Sequence, residues 1–319
     1  MNLPSDANDD SGIIKLEHEA YSLTLAPQAG CSILRFDYQP PGASEAIPLF
    51  RPYDLSSSEP INSGDTGYFP LVPFSNRIRD GVLHWQGQQY ALPLNLPPQK
   101  HSLHGTGWQF PWQVTQESEA QVVLSYANPS SDWPFDYTAR HEITLTEYGL
   151  HMALSITNTG HSEMPAGLGF HPYFTRTPNA RIHANLPEMW AVDDEVMPTQ
   201  VVSSPFADSA KTADQVPYIL PAEHELDNAF VNFDGKAQIV WPEWGLSANI
   251  SASEACKFLV IYSPQGERFF CVEPVTNATD GFNQFSRGAQ TLEETGTKVL
   301  QPGETLAATM RIEFQQHES

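Results

Sequence analysis

In residues 150–157, Leu-His-Met-Ala-Leu-Ser-Ile-Thr, large apolar side chains alternate with polar or small ones. The apolar members of this run are Leu150, Met152, Leu154 and Ile156. In an extended chain they would share one face, which is the period-two pattern of a β-strand with one buried side. Residues 142–146 predict its partner strand, and residues 147–149 predict the hairpin loop between the two.

The same pattern recurs along the chain. Residues 306–314 predict a final strand, and the other candidate strands are 21–25, 33–38, 82–85, 121–126, 238–241, 258–262 and 268–272. Helical periodicity is weak throughout. We therefore predict an all-β fold, a large antiparallel β-sandwich formed by residues 1–319 as a single domain, with residues 1–11 as a flexible tail. Residues 40–74 and 187–217 are expected to be long loops.

Composition excludes several classes of partner. Sixteen basic and 38 acidic residues give a net charge of -22, which would repel a nucleic-acid backbone or an anionic membrane. The three cysteines, Cys31, Cys256 and Cys271, are too few and too widely spaced for a disulfide framework or a zinc motif. Without a targeting or membrane-spanning segment, we expect a cytoplasmic protein.

Two segments combine polar side chains with aromatic residues. In FPLVPFSNRIRDG, Asn76 and Arg77 can bind sugar hydroxyls, although a surface ion pair beside a turn explains them equally well. In HSLHGTGWQFPW, His104 and Trp108 favour carbohydrate, because the face of a tryptophan packs on the apolar side of a sugar ring. A zinc site at His101 and His104 is a lesser alternative that would need a further ligand.

His171 and Glu273 are the candidate acid and base. His171 lies in GFHPYF, and an imidazole pKa of about 6.5 allows it to donate and recover a proton near neutrality. Glu273 ends an apolar strand just before Pro274, where we expect pairing to stop or to reach a sheet edge. Partial desolvation there would raise its pKa toward that of a useful base. Each residue alone is equally compatible with a structural role.

Five short motifs follow one another along the chain: NRI around Arg77, SLHG around His104, GFHPYF around His171, LDNAF around Asp227 and CVEPVTN around Glu273. As an ordered set, extending from about residue 12 to residue 314, they resemble the aldose 1-epimerase, or mutarotase, family. The resemblance implies a large twisted β-sandwich with a sugar cleft across one sheet face. The residues that follow His104, Asp227 and Glu273 differ from those of well-known galactose mutarotases, so it implies an aldose rather than one particular hexose.

The resemblance also implies roles for these residues. His171 matches the general acid, Glu273 the general base, and His104, Arg77 and Asp227 the residues that hold the sugar. Glu273 would take the proton of the anomeric hydroxyl while His171 protonates the ring oxygen, so that the ring opens and recloses as the other anomer. This chemistry needs no metal or cofactor and no partner besides the sugar. A monomer and a homodimer both remain open.

Two other functions remain open at this point. A non-catalytic carbohydrate-binding or sensing protein would use the same fold. A hexose-6-phosphate mutarotase would need basic side chains around the phosphate, for which Arg35, Arg51, Arg79 and Arg176 are available.

Overall fold

The computed structural model describes residues 12–56, 59–128, 132–207 and 218–317. The predicted tail, residues 1–11, lies outside the described residues, as does the end of the predicted loop at 187–217.

β-Strands are the predominant secondary structure of the described chain, in agreement with its period-two patterns. In chain order the strands are β1 (Ile14–His18), β2 (Tyr21–Ala26), β3 (Ser32–Tyr38), β4 (Ile47–Pro48), β5 (Tyr68–Leu71), β6 (Arg77–Ile78), β7 (Val82–Trp85), β8 (Gln88–Ala91), β9 (Ser102–Leu103), β10 (Gln113–Glu117), β11 (Gln121–Ala127), β12 (Tyr137–Thr146), β13 (Gly149–Asn158), β14 (Met164–Ala166), β15 (Gly169–Thr175), β16 (Arg181–Ala184), β17 (Glu188–Val192), β18 (Pro198–Ser203), β19 (Leu226–Val231), β20 (Lys236–Trp241), β21 (Leu246–Ala252), β22 (Phe258–Ser263), β23 (Phe269–Val275), β24 (Lys298–Leu300) and β25 (Thr305–Gln316). The α-helices are α1 (Gly281–Ser286) and α2 (Leu292–Thr295), and single 3-10 turns cover Ser63–Asp65, Arg79–Gly81 and Pro242–Trp244. Within the described ranges, no helix has the length and apolar character needed to cross a bilayer.

The strands form two large antiparallel sheets. The first has eleven strands in the order β1-β2-β3-β5-β15-β23-β22-β19-β17-β18, with β4 paired to β3. The second has eight strands in the order β10-β11-β12-β13-β25-β21-β20-β16. Strand β12 packs against β1 and β2, so the sheets face each other across the main core. The predicted all-β antiparallel sandwich is confirmed.

The run at 150–157 lies in β13, near the centre of the eight-stranded sheet. Met152 pairs with Ile143 on one side and with Met310 on the other. Met152 and Ile156 are fully buried in the main core, and burial of each such side chain contributes roughly 1.5–3 kcal/mol. The alternation therefore fixes which face of this sheet turns inward.

The central strands of the eleven-stranded sheet are buried on both faces. In β23, Phe270 and Val272 belong to the main core, while Phe269 and Cys271 belong to a second apolar cluster on the opposite face. This second face carries the candidate site, to which loops and the short strand pair β6–β9 contribute.

Three sequence predictions need correction here. Strand β23 does not stop at Glu273: Pro274 pairs with Leu259, and the strand continues to Val275. The predicted loop at 187–217 contains the hairpin of β17 and β18, and the loop at 40–74 contains β4 and β5. These strands are short or lie at the edge of the sheet, so they lack a continuous apolar alternation.

Candidate active site

Strand register brings the predicted acid and base together. The pairs Gly169 with Val275 and Tyr173 with Cys271 put His171 opposite Glu273 on adjacent strands β15 and β23. Side chains directly opposite each other in an antiparallel pair point to the same face. His171 and Glu273, far apart in the chain, therefore lie side by side.

The same register extends this arrangement into rows across five strands. One row crosses β5, β15, β23, β22 and β19 and consists of Phe69, His171, Glu273, Val260 and Ala229. The neighbouring row consists of Tyr173, Cys271, Tyr262 and Asp227. The second row brings Asp227 within reach of the same cleft.

The acid–base pair lies where the backbone ladder opens. Among the described residues, β15 and β23 are paired on both sides of positions 170–172 and 272–274 but not at these positions. Pro172 and Pro274 lack a backbone N–H, so neither can donate a ladder hydrogen bond there. His171 Nε2 lies 3.4 Å from Glu273 Oε1, and both side chains are more than nine-tenths buried. This is close to hydrogen-bond distance.

Burial shifts both ionisable groups toward their neutral forms. It lowers the pKa of His171 to about 3, with the nearby Arg51 charge as a smaller cause. It raises the pKa of Glu273 well above its usual range, and the Asp227 carboxylate adds to this shift. The two shifts favour the state in which the pair holds one proton and carries no net charge. Perturbed pairs of this kind in a cleft are typical of acid–base sites.

His104 is held in one tautomer. The backbone N–H of Asn76 donates to His104 Nδ1 at 3.0 Å, and the backbone N–H of His104 donates to the Asn76 carbonyl oxygen at 2.7 Å. Burial, His171 and Arg77 together lower the pKa of His104 well below its usual value. The ring is therefore neutral, with its proton on Nε2, and it can donate into the cleft.

The backbone around His104 is unusual in a way that serves this placement. His104 has φ of 60° and Gly105 has φ of 70°. A Cβ on Gly105 would lie 2.4 Å from the carbonyl oxygen of Val72, so only glycine fits there.

Arg77 and Asp227 form the second polar group of the cleft. Arg77 Nη2 lies 3.0 Å from Asp227 Oδ2, and Arg77 Nη1 donates to Asn76 Oδ1 at 3.1 Å. Strand β6 supplies Arg77 and pairs it with Leu103, next to His104. The predicted residues Asn76, Arg77, His104, His171, Asp227 and Glu273 all line one cleft of about 320 Å³.

That volume is at the lower end of the roughly 300–1,000 Å³ typical of small-molecule sites. A larger surface concavity, of about 630 Å³, is lined by other residues, among them His18, Glu147 and Arg311. None of the ionisable residues that the structure describes in its lining is buried as His171 and Glu273 are, so we assign the site to the smaller cleft.

Trp108 does not line the cleft, contrary to the prediction that it packs against a sugar. Its ring stacks on Phe69 with centroids 5.1 Å apart, and its Nε1 donates to the carbonyl oxygens of Leu103 and Gly105. Phe69 in turn packs against His171 at 4.7 Å. Trp108 therefore supports the site from behind.

His101 is also separate from the acid–base pair. The backbone N–H of Asp80 donates to its Nδ1 at 3.0 Å, and its Nε2 faces Glu195 at 3.7 Å. The geometry gives His101 a role in loop structure rather than in a zinc site with His104.

Sequence reasoning missed several residues that line the cleft. Tyr173 and Tyr262 supply aromatic faces, and Leu96, Gln99 and Val196 come from loops above the sheet. Tyr173 could have been found by counting two positions along the strand from His171, whereas Tyr262 lies on β22 and is placed by its pairing with Cys271. The loop residues carry no such signal.

Among the described residues, one group has ligand atoms close enough for a metal ion. It consists of His171, Cys271 and Glu273, whose ligand atoms lie within 4.8 Å of one another. Imidazole, thiolate and carboxylate are all zinc ligands. Burial raises the pKa of the Cys271 thiol well above its usual value, so the thiol is protonated and a metal would have to displace its proton.

The fold agrees with that of known proteins. The architecture is that of the galactose mutarotase-like β-sandwich: a galactose mutarotase-like protein from Clostridium acetobutylicum superposes with a TM-score of 0.80 at 19% identity, covering 95% of each chain. A protein from Escherichia coli K12, provisionally described as an aldose 1-epimerase, superposes with a TM-score of 0.80 at 28% identity, covering 95% of this chain and 99% of its own.

Residues 13–313 match the family model for aldose 1-epimerase. The uncharacterized protein YphB of Escherichia coli K12 is 29% identical over 314 residues, which cover 94% of this chain and 98% of that protein. The chain therefore belongs to the aldose 1-epimerase family.

Proposed function

We propose that this protein is a mutarotase that interconverts the α and β anomers of a free aldose. The observation that carries the proposal is the buried pair of His171 and Glu273, 3.4 Å apart, in a cleft of monosaccharide size.

The spacing of the pair suits the two oxygens that exchange protons in this reaction. The anomeric hydroxyl and the ring oxygen are both bonded to C1, so an acid and a base that serve them must lie next to each other. Adjacent strands are about 4.8 Å apart, and an acid and a base on opposing positions satisfy this requirement. An acid and a base farther apart could exchange these two protons only through intervening groups.

In the ring-opening step, one proton moves from the sugar to Glu273 and another moves from His171 to the sugar. The Glu273 carboxylate takes the proton from O1, the C1–O1 bond becomes a carbonyl, the bond from C1 to the ring oxygen breaks, and the ring oxygen takes the proton of the His171 imidazolium. Rotation about the bond between C1 and C2, followed by the reverse steps, gives the other anomer. His171 and Glu273 together hold one exchangeable proton before and after this step. A sugar that donates to Glu273 and accepts from His171 favours the state in which that proton is on His171.

The remaining polar groups suit the rest of the sugar. The Nε2–H of neutral His104 and the guanidinium of Arg77 can donate to oxygens that gain negative charge during ring opening. Asp227 can accept from hydroxyls. Because Arg77 already bonds Asp227 and Asn76, these groups are held in place before the sugar binds.

A neutral sugar fits this cleft better than a phosphorylated one. Among the described residues that line it, Arg77 is the one arginine or lysine, and its charge is matched by Asp227. Arg51 donates to the carbonyl oxygens of Gly64 and Thr66, and its guanidinium lies 4.0 Å from the Tyr173 ring centre. These contacts hold its guanidinium behind Tyr173, outside the lining of the cleft, rather than presenting it to a phosphate.

The other available arginines have partners away from the acid–base pair. Arg35 bonds Asp37, Arg79 bonds Asp193 and Arg176 bonds Ser263.

The three buried free cysteines suit the reducing cytoplasm, where we place the reaction.

Polarimetry on matched sugars tests the proposal. We expect freshly dissolved α-glucose or α-galactose to reach anomeric equilibrium faster with the protein than without it. Glucose 6-phosphate should gain much less, because the cleft offers its phosphate no unmatched cation. Faster turnover of the phosphate ester would favour a hexose-6-phosphate mutarotase, and binding of free sugars without turnover would favour a sensor.

A further inference from the structure

A turn from the edge of the eleven-stranded sheet covers one end of the cleft. Residues 193–197 connect β17 to β18, and Val196 from this turn lines the same cleft as His171 and Glu273. Leu96 and Gln99 approach from the loop that precedes β9. Val196 and Leu96 give this end an apolar surface in a cleft whose other walls are mostly polar.

The 193–197 turn is built around Asp193. One oxygen of its carboxylate, Oδ1, accepts the backbone N–H groups of Glu195 and Met197, each at 2.9 Å. The Val196 N–H donates to the Asp193 carbonyl oxygen, also at 2.9 Å. These bonds close the turn and set the direction of Val196.

The turn is also tied to the loops across the cleft. Arg79 Nη2 lies 3.3 Å from Asp193 Oδ2, and Lys100 Nζ bonds Glu195 Oε1. The buried His101 ring presents Nε2 to the second oxygen of Glu195 at 3.7 Å. These contacts hold the 193–197 turn against the loop before β9, which contributes Leu96 and Gln99 to the cleft.

Val196 adopts a conformation that its side chain disfavours. Its φ is 59°, in the left-handed region, where a β-branched residue is a genuine outlier and glycine or asparagine is normal. A strained residue of this kind in a cleft points to a functional requirement for its side chain.

The strand order gives the approximate position of the 193–197 turn relative to the reacting atoms. Asp227 on β19 is two strands from Glu273, roughly 10 Å at the spacing of about 4.8 Å per strand. Strand β17, which leads into the turn, is the next strand beyond β19. If C1 and the ring oxygen lie at Glu273 and His171, the opposite edge of the pyranose ring, C3 and C4, points toward Asp227 and Val196.

We propose that Val196 is a specificity-determining residue, which closes the far end of the cleft over the C3–C4 edge of the sugar and restricts the substrate to monosaccharides. A glycosyl group on O4 would meet the turn, whereas an unsubstituted hydroxyl would not. This inference rests on the proposed mutarotase function.

The test compares each monosaccharide with the reducing disaccharide that carries a sugar on its O4. Polarimetry would give kcat/KM for glucose and maltose, and for galactose and 4-galactobiose. The wild-type protein should prefer the monosaccharide, and Val196→Gly should raise the ratio of disaccharide to monosaccharide kcat/KM at least about tenfold, the effect typical of removing one bulky apolar contact.

Gln86→Gly is the matched control. Gln86 has φ of 49° in the turn between β7 and β8, away from the cleft, so glycine relieves the same backbone conformation there. Both variants should keep or raise the unfolding temperature, but only Val196→Gly should change the ratio. Because glycine suits the backbone at both positions, loss of folding is not expected to obscure the result.

The outcomes separate the two proposals. Equal turnover of monosaccharide and disaccharide by the wild type, or an unchanged ratio in Val196→Gly, would overturn the role of Val196 while leaving the mutarotase function intact. Acceleration of no sugar by the wild type would overturn the proposed function, and the specificity role with it.

Discussion

Two buried histidines, His141 and His171, have the same pKa shift but differ in their hydrogen-bond partners and in their access to the cleft. Burial lowers the pKa of each to about 3. His141 lies in β12 between the sheets, and both its ring nitrogens have partners: Nε2 bonds the Tyr68 hydroxyl at 2.9 Å, and Nδ1 meets Cys31 Sγ at 3.6 Å. His171 lines the cleft, with Glu273 at Nε2 and, among the described residues, no hydrogen-bond partner at the buried Nδ1.

The comparison shows that a shifted pKa does not by itself identify a catalytic histidine. Burial produces the shift in both places, because desolvation penalises the charged ring. His141 is neutral and satisfied, as a structural core residue should be. His171 combines access to a cleft, an adjacent carboxylate and an unsatisfied nitrogen, and these three features together indicate function.

The two histidines should differ most in how their removal changes the rate of sugar turnover. We expect His171→Ala to lower kcat/KM about 10²- to 10⁴-fold, the contribution typical of an acid–base group. His141→Ala should leave kcat/KM per folded molecule within about twofold, because His141 is fully buried and its hydrogen-bond partners among the described residues, Tyr68 and Cys31, do not line the cleft. Polarimetry on both purified variants measures the difference, and a comparable loss in both would refute the distinction.

Stability should show the opposite order, with a smaller effect. His141→Ala leaves a cavity and an unpaired buried Tyr68 hydroxyl, and should lower the free energy of unfolding by about 3 kcal/mol. His171→Ala should lower it by no more than about 1 kcal/mol, because water from the cleft can fill the space and functional residues are rarely optimal for stability. Urea denaturation of the same two variants tests this. A larger loss for His171→Ala would contradict it.

Local patterns in the sequence were sufficient for the sandwich and for the identity of the acid and base candidates. Alternation along 150–157 predicted β13. The position of His171 opposite Glu273 depends on the register of two strands distant in the chain, which no local pattern encodes. The resemblance to the family implied their roles as acid and base, whereas their position side by side comes from the strand register of the structure.

Other features were out of reach for physical reasons. The continuation of β23 through Pro274 depends on a gap in the ladder that two prolines on neighbouring strands create together. The placement of Trp108 behind Phe69 depends on how its loop folds, since a tryptophan suits a core as well as a sugar. Val196 lies over the cleft through a turn whose anchors come from other loops.

The central claim is that His171 and Glu273 act as one acid–base unit on an aldose, and a double-mutant cycle tests it most directly. Polarimetry would compare the wild type with His171→Asn, Glu273→Gln and the double variant, each checked for folding by circular dichroism. Because either substitution interrupts the same proton transfer, we predict that the double variant is no more than about tenfold slower than the slower single variant. A double variant slowed by the product of the two single effects would show that the residues act independently and would contradict the claim.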